Sequence, residues 1–107
     1  MTTFDDRKDA FEKKFALDEE LQFKATARRN KLLGLWAAER LGLHGAEAEA
    51  YAKTVVVADF TEAGEEDVFR KVRYDLSVKA AAVSDQQIRA AMAELLAKAV
   101  EQIKAGA

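Results

Sequence analysis

Cysteine and proline are both absent from the 107 residues, glycine occurs five times, and there is one histidine. Without cysteine, disulfide frameworks, zinc-ribbon sites and thiol nucleophiles are excluded together, and a reducing compartment is the natural setting. Without proline, nothing interrupts a long helix. Long hydrophobic runs are missing as well: the longest uncharged apolar stretch, Leu32 to Ala38, has seven residues, far short of the roughly 20 that span a bilayer. No direct membrane insertion is expected. The opening Met-Thr-Thr-Phe-Asp-Asp lacks the basic start and apolar core of a secretory leader, so a cytoplasmic location is expected.

What is present is a chain that is 50% hydrophobic and 34% charged, the size of one domain. Ala, Glu, Lys, Leu and Arg dominate it, and these are the strong helix formers. The expectation is an all-α fold. A net charge of −2 conceals alternating blocks: −3 over residues 1–20, +4 over 21–43, −6 over 44–67, +3 over 68–83, and zero over 84–107. Such blocks either pair with one another inside a bundle or present separate faces to a partner, and composition does not choose between the two.

Helix signals place four elements. Asp18 followed by Glu19 and Glu20 reads as an N-cap with an acidic first turn, opening a helix over 18–41 whose inward face is Leu21, Ala25, Leu32, Leu33 and Trp36. Gly42 stands where a left-handed C′ residue ends it, with Leu43 folding back on the last turn. Ala48, Tyr51, Ala52, Val55, Val56 and Phe60 give the stripe of a second helix over 46–63, stopped by Gly64. Glu65, Glu66 and Asp67 put negative charge on the first turn of a third, over 65–80, where the macrodipole favours it; Val68, Val72 and Leu76 form its stripe. Ser84 and Gln87 have capping-box spacing and open a fourth helix over 85–104, with Ile88, Met92, Leu95, Ala99 and Ile103 at regular helical intervals.

Before Asp18 the pattern changes. Phe4, Phe11 and Phe15 fall seven and four residues apart, on one side of a helix whose other positions are mostly Asp, Glu, Lys and Arg. A segment with so few aliphatic residues buries little surface on its own chain, and an isolated helix this short is marginal in water. The expected organisation is a flexible or marginally helical arm over 1–17 and a small four-helix bundle over 18–107.

Catalytic chemistry finds little support. The two serines occupy helix or cap positions, and His44 stands alone in a Leu43-His44-Gly45 connection, so neither a nucleophile with its base nor a transition-metal site can be assembled. Adjacent carboxylates such as Asp5/Asp6 and Glu65/Glu66 point about 100° apart on a helix and do not converge on one atom. Neither GxGxxG nor GxxxxGK occurs, which leaves no phosphate loop. The chain does not read as an enzyme, and no cofactor is expected.

Two constellations remain. The aromatic N-terminal segment has the form of a helix that docks into a groove on another protein, with phenylalanines as anchors and charges setting register; the alternative is a peripheral helix packed on its own bundle. Lys24, Arg28, Arg29 and Lys31 lie on a single helix, and Lys24, Arg28 and Lys31 share a face able to meet carboxylates or phosphate. That face is either solvated and paired with the acidic block at 44–67, or a binding patch for a partner or a weakly bound nucleotide. Nucleic acid is disfavoured by the acidic net charge and by the lack of aromatic residues interleaved with the bases.

Several runs together resemble one known family. Thr2-Thr3-Phe4-Asp5-Asp6-Arg7, Lys14-Phe15-Ala16, Phe23-Lys24-Ala25, Ala27-Arg28-Arg29-Asn30, Leu32-Leu33-Gly34 and Trp36-Ala37-Ala38 are similar to the start of the zeta-type inhibitor subunit of alphaproteobacterial ATP synthases. Val56-Val57-Ala58-Asp59-Phe60, Glu62-Ala63-Gly64, Glu66-Asp67-Val68 and Arg70-Lys71-Val72 resemble its continuation. The resemblance implies a helical bundle whose N-terminal segment folds as it enters a catalytic interface of the F1 sector, among the alpha, beta and gamma subunits, and blocks rotation in the hydrolysis direction. It places the inhibitory region in roughly the first twenty residues, at the matching Phe4, Asp5, Asp6, Arg7, Lys14, Phe15 and Ala16; Phe11, a third ring on the same face by its spacing, falls outside the matching positions. A location peripheral to the inner membrane, through F1, goes with it. The competing class is a non-inhibitory helical adaptor, or a nucleotide- or ligand-binding regulatory module, acting through the basic face at 24–31.

Overall fold

A computed structural model describes residues 19–58 and 65–106. Among them are four α-helices and no strand: α1, Glu19–Arg40; α2, Gly45–Ala58; α3, Glu66–Val78; and α4, Asp85–Lys104. The all-α reading holds. Asp18 and residues 59–64, which carry the expected first cap and the end of the second helix, lie outside the described residues.

Most helix ends follow the local chemistry of the sequence. Gly42, at φ +78°, closes α1 with two backbone bonds, Leu43 N–H to Ala38 O at 2.9 Å and Gly42 N–H to Glu39 O at 3.2 Å, the paired bonds of a Schellman end. Ser84 Oγ accepts from the Gln87 N–H at 3.1 Å while Gln87 Oε1 accepts from the Ser84 N–H at 2.8 Å, completing the capping box of α4. The third helix departs from expectation. It stops at Val78 rather than near 80, because Ala80 adopts φ +55° and the Ala81 and Ala80 N–H groups turn back to Leu76 O and Ser77 O. This repeats the geometry at Gly42 with a residue whose Cβ opposes it, and no glycine advertises it.

α1 is the central element, packing most extensively against α2 and α4, while α3 closes the remaining side. Leu33, Val55, Val68, Val72, Leu76 and Ile88 are essentially sealed from solvent. The stripes read for α3 and α4 therefore face inward, apart from Leu95 and Ile103, which are half-buried. On α1 the inward face needs correction. Ala25 and Leu33 are buried, but Leu21, Leu32 and Trp36 are only half-buried. Trp36 sits at the rim, with the Arg40 guanidinium 4.0 Å from its ring centroid and Arg40 Nη1 donating to its carbonyl at 3.0 Å. The interior positions are filled instead by Ala37, Ala38, Arg29 and Asn30.

Small residues matter on α1 because α2 crosses it closely. A Cβ built on Gly34 would lie 2.5 Å from Ala52 Cα and 3.0 Å from its Cβ, so the two backbones meet with nothing between them. Ion pairs then join the helices at the surface. Arg89 on α4 grips Glu66 on α3 with two bonds, 2.8 and 3.1 Å, and lies 3.8 Å from the Phe69 ring. Those bonds hold the Glu66 carboxyl below the usual carboxylate range.

Two substitutions test these features. Gly34→Ala should destabilise the protein by about 1–3 kcal/mol, since the overpacking at Ala52 outweighs the roughly 1 kcal/mol of helix propensity gained. Ala80→Gly should stabilise it by about 1 kcal/mol through relief of the left-handed strain. Denaturant unfolding followed by circular dichroism reads both, and a more stable Gly34→Ala variant would contradict the close crossing.

Candidate functional site

The expected partner-binding residues Phe4, Asp5, Asp6, Arg7, Phe11, Lys14 and Phe15 lie outside the described residues. The second expected set is placed. Lys24, Arg28 and Lys31 follow one another along α1 and line a single open cavity of about 620 Å3, together with Phe23, Ala27, Val56, Ile103 and Gly106. The cavity is formed where α1 meets the last described turn of α2 and the end of α4, so residues about 80 positions apart in sequence share it.

The cations of this face make weak internal contacts. Lys24 Nζ is 3.0 Å from Glu20 on the same helix. Lys31 Nζ stands 4.0 Å from Glu49 of α2, and Arg28 Nη1 donates to Gln102 Oε1 at 3.4 Å. Exposed pairs of this kind contribute about 0–1 kcal/mol. The three charges are therefore available to a stronger ligand at little cost to the fold.

Arg29 behaves differently from its neighbours. It turns inward, 3% exposed, where Nε donates to Asn30 Oδ1 at 2.7 Å and Nη1 to Glu65 Oε2 at 3.1 Å. This pair joins the basic block of α1 to the acidic block ahead of α3, as Lys31 and Glu49 do less closely. Arg29 thus anchors the start of α3 against α1 and does not share the cavity with Lys24, Arg28 and Lys31.

A second polar cluster lies between α2 and α3. Tyr51 Oη donates to Asp75 Oδ2 at 2.8 Å, and Lys71 Nζ donates to the same oxygen at 3.0 Å. Burial, reinforced by that carboxylate, raises the Tyr51 phenol well above its ordinary value. The neutral phenol is a donor that holds two helices together, a structural task.

His44 is exposed in the α1–α2 connection. Among the described residues no group of three or more His, Cys, Asp or Glu side chains is placed to hold a metal ion, and no helix is long and apolar enough to cross a membrane. What the described surface offers is a cationic wall beside apolar side chains, an arrangement for binding.

The apolar half of this cavity was not singled out in the sequence. Phe23 precedes Lys24 by one residue and Ala27 by one helical turn, so a face shared with the cations was readable. The contributions of Val56 and Ile103 were not, because both belong to stripes that otherwise point to the core.

Comparison with known proteins covers nearly the whole chain. A family model described as ATPase inhibitor subunit zeta matches residues 1–102. A solution NMR structure 53% identical in sequence aligns with a TM-score of 0.73, covering 81% of this chain and 99% of its own. No curated protein matches.

The Arg29–Glu65 bond yields a stability test. Glu65→Ala leaves a buried guanidinium with one of its acceptors removed, and should cost about 1–3 kcal/mol, whereas Glu49→Ala on the exposed Lys31 pair should cost less than about 1 kcal/mol. Equal losses in denaturant unfolding would show that Arg29 is not the anchor.

Proposed function

Because the chain belongs to the ATPase inhibitor subunit zeta family, we propose that it is a protein inhibitor of the F1-ATPase whose N-terminal segment enters a catalytic interface and blocks rotation in the hydrolysis direction. Family membership itself implies an inhibitor protein associated with ATP synthase. The finer reading assigns residues 1–17 to the inhibitory arm and 18–107 to the bundle that carries it. The observation behind it is that the family match begins at residue 1 and runs through the bundle to residue 102, so the arm belongs to the shared pattern.

The mechanism follows from the form of that segment. A rotary catalytic interface has to change shape in every cycle, and a helix wedged into it opposes the change in proportion to how tightly it is held. Phe4, Phe11 and Phe15 on one side supply apolar anchors of the kind that dominate protein interfaces. Asp5, Asp6, Arg7 and Lys14 supply charges that set register against the alpha, beta and gamma subunits. An arm that buries little surface on its own chain loses less on leaving it, although ordering on binding consumes part of the interaction energy. The bundle holds the arm at its root, where α1 begins at Glu19. The site of action is the F1 sector, at the cytoplasmic side of the inner membrane.

The alternative, a non-inhibitory adaptor or nucleotide-binding module, draws on the gathering of Lys24, Arg28 and Lys31 at one cavity. ATP hydrolysis by purified F1 separates the two readings. Phe4→Ala and Phe15→Ala should each cost about 2–4 kcal/mol of binding, weakening inhibition roughly 30- to 1,000-fold, with Phe11→Ala costing less and the melting temperature unchanged in all three. A truncation beginning at Asp18 should lose inhibition while keeping its helical content. Full inhibition by that truncation, or none by the intact protein, would overturn the inhibitor reading.

A further inference from the structure

The cavity beside α1 continues beyond its cations. A second depression of about 350 Å3 shares Lys31 and Val56 with it and extends over Ala52, Lys53, Val57 and Glu49, the carboxylate Lys31 would exchange for a partner's, making one groove along α1 and α2. Two of the most exposed large apolar side chains in the described residues, Phe23 at 64% and Val57 at 60%, border its two parts. Lys24, Arg28 and Lys31 line the α1 side at intervals of four and three residues, which places them along one helix face.

These features together select an occupant. A small anion would engage the cations and leave the apolar strip to Val57 unused. An apolar ligand would make no use of the cations, which would keep their weak internal contacts. An amphipathic helix with carboxylates along one edge uses both, in the helix-in-groove manner of recognition. The cations are free to change partners, since Lys24 and Lys31 hold only exposed pairs and Arg28 one long bond.

We infer that this groove is a second docking surface of the protein, and that its occupant is an acidic amphipathic helix on the surface of the same F1 partner that receives the N-terminal segment. The inference rests on the inhibitor reading and names a further contact within it. α1 begins at Glu19, so Phe23 lies only about 6 Å along the helix axis from the root of the arm. A partner that grips the residues before Glu19 is therefore already beside the groove. The second contact would be nearly intramolecular and would strengthen the first through effective concentration.

Full-length protein carrying a photo-cross-linking side chain at Val57, or at the exposed Tyr74 of α3 as a control outside the groove, tests this on purified F1. The expected product joins position 57 to a carboxylate-bearing helix of F1, with none from position 74. No product at 57, a product with residues 1–18 of the same chain, or a product with a second copy overturns the proposal, and a groove serving only a small anion gives the first of these. A Lys24→Glu/Arg28→Glu variant should bind F1 about tenfold more weakly with an unchanged melting temperature; affinity equal to the parent's would also overturn it. The two readings fail separately. Cross-linking at 57 with full inhibition by Phe4→Ala and Phe15→Ala removes the arm and keeps the groove, and loss of inhibition in those variants without cross-linking does the reverse.

Discussion

The crossing of α1 and α2 at Gly34 and Ala52 is the constraint around which the rest of the bundle is arranged. Two helices that meet backbone to backbone have no intervening side chain to adjust their separation, so the position of one determines the other to within a few tenths of an ångström. Apart from Leu33, α1 accordingly presents small apolar residues inward, Ala25, Ala37 and Ala38, while most of the remaining core volume comes from Val55, Val68, Val72, Leu76 and Ile88 on the other helices. The crossing also brings Val56 beside Ala27 and Lys31. A wider spacing would remove the wall of the groove along with the packing that supports it.

Polar interactions divide into two groups of different consequence. Arg29 with Glu65 and Asn30, and Tyr51 with Asp75, are buried or part-buried, and the Arg29–Glu65 and Tyr51–Asp75 bonds tie α1 to the start of α3 and α2 to α3. Leaving one partner of such a group alone is expensive even where the intact pair adds little net stability. The pairs of Lys24 and Lys31 are solvated and easily exchanged. The protein thus keeps its inward polar groups occupied while the charges of one outer face stay available, a division suited to a chain that has to remain folded while it engages a partner.

The parts of this fold legible in the sequence are those encoded by near neighbours. Ser84 with Gln87, Gly42 with Leu43, and the three-to-four spacing of Val68, Val72 and Leu76 each express a contact within one or two turns. What escaped reading depends on distant residues. Arg29 and Asn30 look like solvent positions until Glu65 and the close packing of α2 and α4 are in place, and Trp36 looks like core until Arg40 covers its outer face. Gly34 registers only as a weak helix former because Ala52 lies on another helix, and Ala80 carries no signature of the left-handed turn it makes. Of the expected cationic face, three residues stand together and Arg29 is directed elsewhere. The family resemblance was legible nearly throughout because it draws on many short runs and on no single contact.

The central place of α1 has a consequence for the newborn chain. Its buried face is completed by α2, which follows within a few residues, and by α4, which ends at Lys104. At a synthesis rate of about 5–20 residues per second, the interval between the emergence of α1 and the completion of α4 is about 3–13 seconds. Once α2 has followed, and until α4 is made, the ribosome carries a helical hairpin of α1 and α2 with an open flank. The flank is therefore sealed only when the turns of α4 follow those of the hairpin.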